Sequence, residues 1–167
     1  MKIKTAAIIM LFCILFSSCT VQTEFDVCDF CERYNKLSGE KILSTSDFLS
    51  DNDGFLYCFL TAGESRVLIT LDVNENSSLD GIFLTAEKDS YSENDRDAIL
   101  NCVFLAFGAF NYADREAGNE KTASVGFDSD FEPFCDCYKS EEDGKYRITL
   151  YSNEHSFTVS QEKIDSD

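Results

Sequence analysis

The stretch Ala98-Ile-Leu-Asn-Cys-Val-Phe-Leu-Ala-Phe-Gly-Ala-Phe110 decides how the rest of the chain must be arranged. Asn101 is its only strongly polar residue. The run is too short to cross a bilayer, which takes about 20 apolar residues. A helix apolar on nearly all sides, in a chain of formal net charge −17, has to be buried. Ser92 with Asp95 three residues later offers a helix start. The pattern predicts a central core helix from about Glu93 to Tyr112.

Working outward, strand signals lie on both sides of this helix. Before it, Phe55 to Thr61, Arg66 to Asp72 and Leu79 to Ala86 alternate or run apolar between turns at Asp53-Gly54, Ala62-Gly63-Glu64 and Asn74 to Ser78. After it, Phe131 to Tyr138, Tyr146 to Tyr151 and Ser156 to Glu162 form a second trio, with turns at Glu142-Asp143-Gly144 and Asn153-Glu154. Asp26 to Leu37 reads as an amphipathic helix through Val27, Phe30, Cys31, Tyr34 and Leu37, ended by Ser38-Gly39. Lys41 to Asp53 is ambiguous, with Thr45 or Ser46 able to cap a brief helix, and Ala113 to Phe127 reads as loop or weak structure.

The two trios resemble one another. Ile69-Thr70-Leu71 and Ile148-Thr149-Leu150 are each followed, two positions on, by Asn-Glu, an offset of 148 − 69 = 79 that also places Cys58 on Cys137. Glu87-Lys88 matches Glu162-Lys163 after a four-residue shortening. A tandem helix–meander duplication, with halves 26–88 and 92–163, is one reading. The other is convergence, since Ile-Thr-Leu is simply good strand chemistry. Either way the expected fold is α+β: an antiparallel sheet of two three-stranded meanders packed by helices on one face, in a single domain spanning 26–167. In architecture alone this resembles small secreted domains of tandem helix-plus-sheet repeats such as β-lactamase inhibitor proteins, a likeness without shared motifs.

The amino terminus speaks to compartment. Lys2 and Lys4 precede the uncharged apolar run Ala6 to Phe16, followed by Ser17 and Ser18, the layout of a secretory signal. Leu15-Phe16-Ser17-Ser18-Cys19 resembles the lipobox of bacterial lipoproteins, with Phe16 departing from the usual leucine. That resemblance implies cleavage of 1–18, diacylglycerol on the Cys19 sulfur with further acylation by chains such as palmitate, and a short tether over 19–25. Two or more acyl chains suffice for stable anchoring. The expected location is therefore the extracytoplasmic side of a cell membrane, held through the lipid on Cys19. An ordinary cleaved signal peptide is the alternative.

Charge and cysteines narrow the function classes. Residues 19–167 carry 12 basic and 31 acidic groups, 12 − 31 = −19, which excludes nucleic acid as a partner. The acids suit solubility, and also a basic partner or a cation. Cys28, Cys31, Cys58, Cys102, Cys135 and Cys137 are candidates for disulfides outside the cytosol, with Cys58 to Cys102 as a staple of helix to sheet. Cys28-x-x-Cys31 at a helix start invites a redox reading, but the βαβ setting such enzymes use is missing. Cys28, Cys31, Cys135 and Cys137 form a conceivable four-thiolate zinc set. His155, the only histidine, sits in a turn beside Glu154 and Ser156 and lacks a marked nucleophile. Asp72, Asn74 and Asn76 begin a calcium-loop pattern that fails at Ser77 and Phe83. Asp128, Asp130 and Glu132 would share one face of a strand.

The expectation is a lipid-anchored binding or protein-interaction module that uses no cofactor and has an envelope or surface protein as partner. The loop 113–127 and the aromatic residues Tyr91 and Tyr138 are the places to look for an interface. The rival expectations are a thiol-redox or hydrolytic envelope enzyme and a solute- or metal-binding lipoprotein.

Overall fold

Asp26 starts the first helix because its carboxylate accepts the Asp29 amide at 2.9 Å, while the Asp29 carboxylate reaches back to the Asp26 amide at 3.4 Å. Helix α1 runs Val27–Ser38 and stops at Gly39, whose φ of +77° a residue with a Cβ adopts only with strain. The computed structural model describes residues 25–51 and 53–164. The expected signal peptide, the lipobox, Cys19 and nearly all of the tether lie outside those residues.

Strands β1 (Leu49–Ser50), β2 (Phe55–Ala62), β3 (Ser65–Val73) and β4 (Leu79–Glu87) follow. Helix α2 (Arg96–Phe110) comes next, then α3 (Arg115–Ala123), β5 (Cys137–Asp143), β6 (Tyr146–Ser152) and β7 (Ser156–Lys163). All pairings are antiparallel and form one sheet in the order β1-β2-β3-β4-β7-β6-β5. This is the expected α+β architecture of two joined meanders. The apolar α2 buries 11 of its 15 residues, against three of 12 in α1, so the helix with no polar face is the deeper one. It packs on α1, α3, β2 and β4. The inward positions Leu60, Ile69, Leu84, Val159 and Leu150 complete the core.

Several expectations are corrected. The segment 113–127 contains α3, capped by the Asp114 carboxylate on the Ala117 amide. Residues 131–136 form turns, so the expected strand starts only at Cys137, and Asp128 accepts the Asp130 amide in a turn instead of sharing a strand face. Ser92 makes no side-chain cap. Asp95 instead accepts from the Glu64 and Ser65 amides at 2.8 and 2.9 Å and from the Ser65 hydroxyl, clamping the β2–β3 turn to the start of α2.

The 79-residue offset does not survive the strand register. The two-residue turns Gly63-Glu64 and Gly144-Lys145 close the equivalent hairpins, and superposing them requires 144 − 63 = 81. Ile69, between Cys58 and Leu84, then corresponds to Leu150, between Lys139 and Val159. Leu84 and Val159 pair with each other at the centre of the sheet, an offset of 159 − 84 = 75. The two meanders are thus related by a pseudo-twofold axis through that central pair. It matches Tyr57 to Tyr138, Arg66 to Arg147 and Glu87 to Glu162, while Cys58 falls on Lys139 rather than Cys137. The slip from 79 to 81 is two residues, so every side chain keeps its face.

Candidate functional site

Helices cover one face of the sheet, and among the described residues nothing covers the other. Cross-strand pairing lays two rows along that open face. One is Phe59, Leu68, Thr85, Thr158, Tyr151 and Tyr138, running from β2 to β5. The other is Leu49, Tyr57, Thr70, Phe83, Ser160, Thr149 and Ser140, running from β1 to β5. None of these positions is charged, although 27% of the chain is. Outward positions of a one-sided antiparallel sheet are where polar and charged residues ordinarily collect. Charges border the rows instead: Arg66 and Glu87 on one side, and Asp72, Glu162, Arg147 and Glu142 on the other.

The exposed aromatic groups gather here. Of the six large hydrophobic side chains exposed in the structure, Leu49, Phe59, Tyr138 and Tyr151 are on this face. The guanidinium of Arg66 lies 5.2 Å from the Phe59 ring centroid, which holds that ring at the border of the strip. Between the aromatic ends the strip is hydroxyl-rich. Thr85 and Thr158 are hydrogen bonded to each other at 2.9 Å, Ser140 and Thr149 at 3.3 Å, and the Ser160 hydroxyl donates to Glu162 at 3.0 Å.

The cysteines fall into two separate groups. Cys31 on α1, Cys58 on β2 and Cys102 on α2 are all buried, and the charges of Cys31 and Cys102 both act on Cys58. Burial pushes Cys31 and Cys102 up to about 11 and Cys58 to about 12, because a thiolate would lose its hydration there. Tyr34 donates its hydroxyl to the Cys102 sulfur at 3.5 Å. Cys28, one turn before Cys31, is exposed, yet partial desolvation together with Glu32, Asp26 and Asp29 also raises its pKa. Nothing in these shifts marks Cys28-x-x-Cys31 as a thiol pair activated by the helix N-terminus.

Cys135 and Cys137 sit at the far edge of the sheet, on or beside β5. Five inter-strand steps separate β5 from β2, about 24 Å at the usual spacing. That separation sets Cys137 on β5 apart from Cys58 on β2. Among the described residues no three His, Cys, Asp or Glu side chains converge on a metal-sized site.

The remaining candidates are scattered. His155 is exposed in the β6–β7 turn with Glu154 3.3 Å away, and Ser156 opens β7 beside it. Asn74 folds its own turn by accepting the Asn76 and Ser78 amides. Tyr91 is half-buried, and its ring packs edge-on against Phe134 at 5.0 Å. Tyr138 is exposed as expected, and it belongs to the open face. A cleft of about 390 Å³ between α3 and β5 is lined by Glu120, Glu141, Glu142 and Asp143, with Lys121 paired to Asp143. An apolar pocket beside Tyr91 and Phe157 holds about 10 Å³, at most one water.

Sequence reasoning named Tyr138 but missed the face that contains it. The available signal was a central band of uncharged outward positions on successive strands with charges only at its borders, visible only once strand order and register brought those positions together. Compared with known protein families, curated proteins and solved structures, the chain matches none.

Proposed function

We propose that this protein is a membrane-anchored extracytoplasmic binding module, displayed through a lipid on Cys19, whose binding surface is the open face of the sheet. The observation that carries the reading is the pair of charge-free rows holding four exposed large side chains in a strongly acidic chain. Keeping such a surface wet and unpartnered wastes apolar area, and exposed patches of this kind mark interaction sites. Binding suits the arrangement better than catalysis. The buried thiols Cys31 and Cys58 have raised pKa values, and His155 projects from an exposed turn between Glu154 and Ser156. The six cysteines serve the same reading as structural elements, since an oxidising location lets buried helix–sheet contacts such as Cys58 and Cys102 be cross-linked.

The test compares retention on isolated cell envelopes of the full chain carrying Cys19→Ser, which removes the lipid attachment point, with that of the same chain carrying Phe59→Lys and Tyr151→Lys as well. Both side chains are more than two-fifths exposed, so the variant is expected to melt within a few degrees of the parent. Binding through the open face predicts at least a tenfold loss of retention. Equal retention by both proteins would remove this surface from the function.

A further inference from the structure

We infer that the ligand of the open face is a neutral glycan chain, seated across the strands with its sugar rings on the aromatic ends of the strip. The inference rests on the binding reading above and names the chemistry of its ligand. Three features of the surface select it.

The first is charge. Thirteen successive outward positions, six in one row and seven in the other, have no ionisable group other than tyrosine, while charges stand on both borders. The carboxylates Asp72, Glu87, Glu142 and Glu162 stand only at the borders of the strip, and the net charge of −17 repels polyanions such as nucleic acids and acidic polysaccharides.

The second is functional-group composition. The strip offers the hydroxyls of Thr70, Thr85, Thr158 and Thr149 across its middle and of Ser140 at the β5 edge. Each hydroxyl donates one hydrogen bond and accepts others, the same pattern a sugar hydroxyl presents in return. Protein–protein interface cores share the aromatic residues and the lack of charge but are depleted in serine, so the hydroxyl content is what sets this strip apart. Flat rings at its ends, Tyr57 and Phe59 on β2 against Tyr151 and Tyr138 on β6 and β5, present faces on which the C–H groups of a sugar ring can stack, and the tyrosines add a polar tip.

The third is shape. Two rows cover about 13 Å along the strands and about 24–29 Å across them, on the order of 350 Å². That is under half of the roughly 800 Å² per partner of a standard protein interface. The strip is also open, not the enclosed cavity that buries most of a small ligand. A narrow, flat, uncharged track several sugar rings long fits a linear polymer better than a second copy of this chain or a globular partner.

The experiment is affinity electrophoresis of the full chain in native detergent gels containing hydroxyethyl cellulose, dextran, mannan or xylan, with polygalacturonate as the anionic control. The expected result is retardation by at least one neutral polysaccharide and none by polygalacturonate. Tyr138→Ala and Tyr151→Ala should each weaken it about tenfold, the worth of one well-placed aromatic stack. No retardation by any neutral polysaccharide, or retardation unchanged in both variants, overturns the glycan assignment. Envelope retention that still depends on Phe59 and Tyr151 would then leave the binding face standing with a protein or lipid ligand. Concentration-dependent dimerisation abolished by the same substitutions would assign the face to a second copy and overturn the glycan. Loss of both dependences would sink the face itself.

Discussion

Gln161 shows how one polar side chain is accommodated in this core. It is fully buried on β7, yet its amide donates to Asn111 Oδ1 at 2.8 Å and accepts from Asn111 Nδ2 at 2.7 Å. The same Asn111 amide also donates to the Phe107 carbonyl at 2.8 Å, so one residue ends α2 and pins it to the sheet. Asn111 is only half-buried, so the two single deletions should differ. Gln161→Leu leaves Asn111 within reach of water and is expected to cost about 1 kcal/mol, whereas Asn111→Leu strands a buried amide and costs about 2–3 kcal/mol. The double variant should recover more than 1 kcal/mol of the summed loss, because the two groups act as a pair. Urea denaturation of the four proteins decides it, and strict additivity would dissolve the pair. The buried thiols make a second residue-scale prediction. Cys31, Cys58 and Cys102 titrate near 11, 12 and 11 in the folded chain, above their ordinary value of 9.0. The unfolded chain therefore releases these protons first as pH rises, so the stabilisation is complete below about pH 9 and declines toward pH 11–12. Melting of the reduced full chain should be flat between pH 7 and 8.5 and fall steeply above pH 9, with the fall reduced in Cys58→Ala.

At the scale of elements, the contact between α2 and α3 depends on two glycines. A Cβ on Gly118 would lie 2.0 Å from the Phe104 carbonyl oxygen, and one on Gly108 would lie 2.3 Å from that of Asp114. Both obstacles are backbone atoms, which cannot rotate away. Gly118→Ala, though it raises helix propensity, is expected to lower stability by about 2 kcal/mol by forcing the helices apart. A gain in stability would mean the helices are not closely packed. This pair also marks where sequence reading stopped. The first helix was legible because Phe30, Cys31 and Tyr34 recur at helical spacing ahead of Gly39, and α2 because nothing else explains eleven nearly continuous apolar residues. Helix α3 was not, because its nine residues bury only Gly118 and Thr122 and leave no apolar stripe to detect. It folds through the Asp114 cap and close backbone packing, both of which depend on where α2 lies. Phe131 failed in the opposite way: its alternating neighbours read as a strand, but its ring packs against Phe127 and Phe157 at 4.9 and 5.2 Å from a turn. The open face lay between these cases, since its residues were assigned to strands correctly but their common surface required the strand order.

For the whole molecule, sheet topology separates the cysteines. Joining the meanders through β4 and β7 sends β2 and β5 toward opposite edges, so the pseudo-twofold related strands are the ones farthest apart. With an offset of 79 Cys58 and Cys137 would have been equivalent, but at 81 the second meander places Lys139 where the first has its buried thiol. The cysteines consequently belong to the helix–sheet contact of the first half, Cys28, Cys31, Cys58 and Cys102, and to the β5 edge, Cys135 and Cys137. A disulfide needs Cα atoms no more than about 7 Å apart, whereas β2, which carries Cys58, and β5, which carries Cys137, are about 24 Å apart across five strands. Oxidised protein digested without reduction should therefore yield cross-links within the first group, with Cys58 joined to Cys31 or Cys102, and none between Cys58 and Cys137. Cross-linking within the first group should raise the melting temperature over that of the reduced chain, by joining α1 or α2 to β2. A native cross-link between Cys58 and Cys137 would require the edges of the sheet to meet, and would overturn the strand order from which the open face is built.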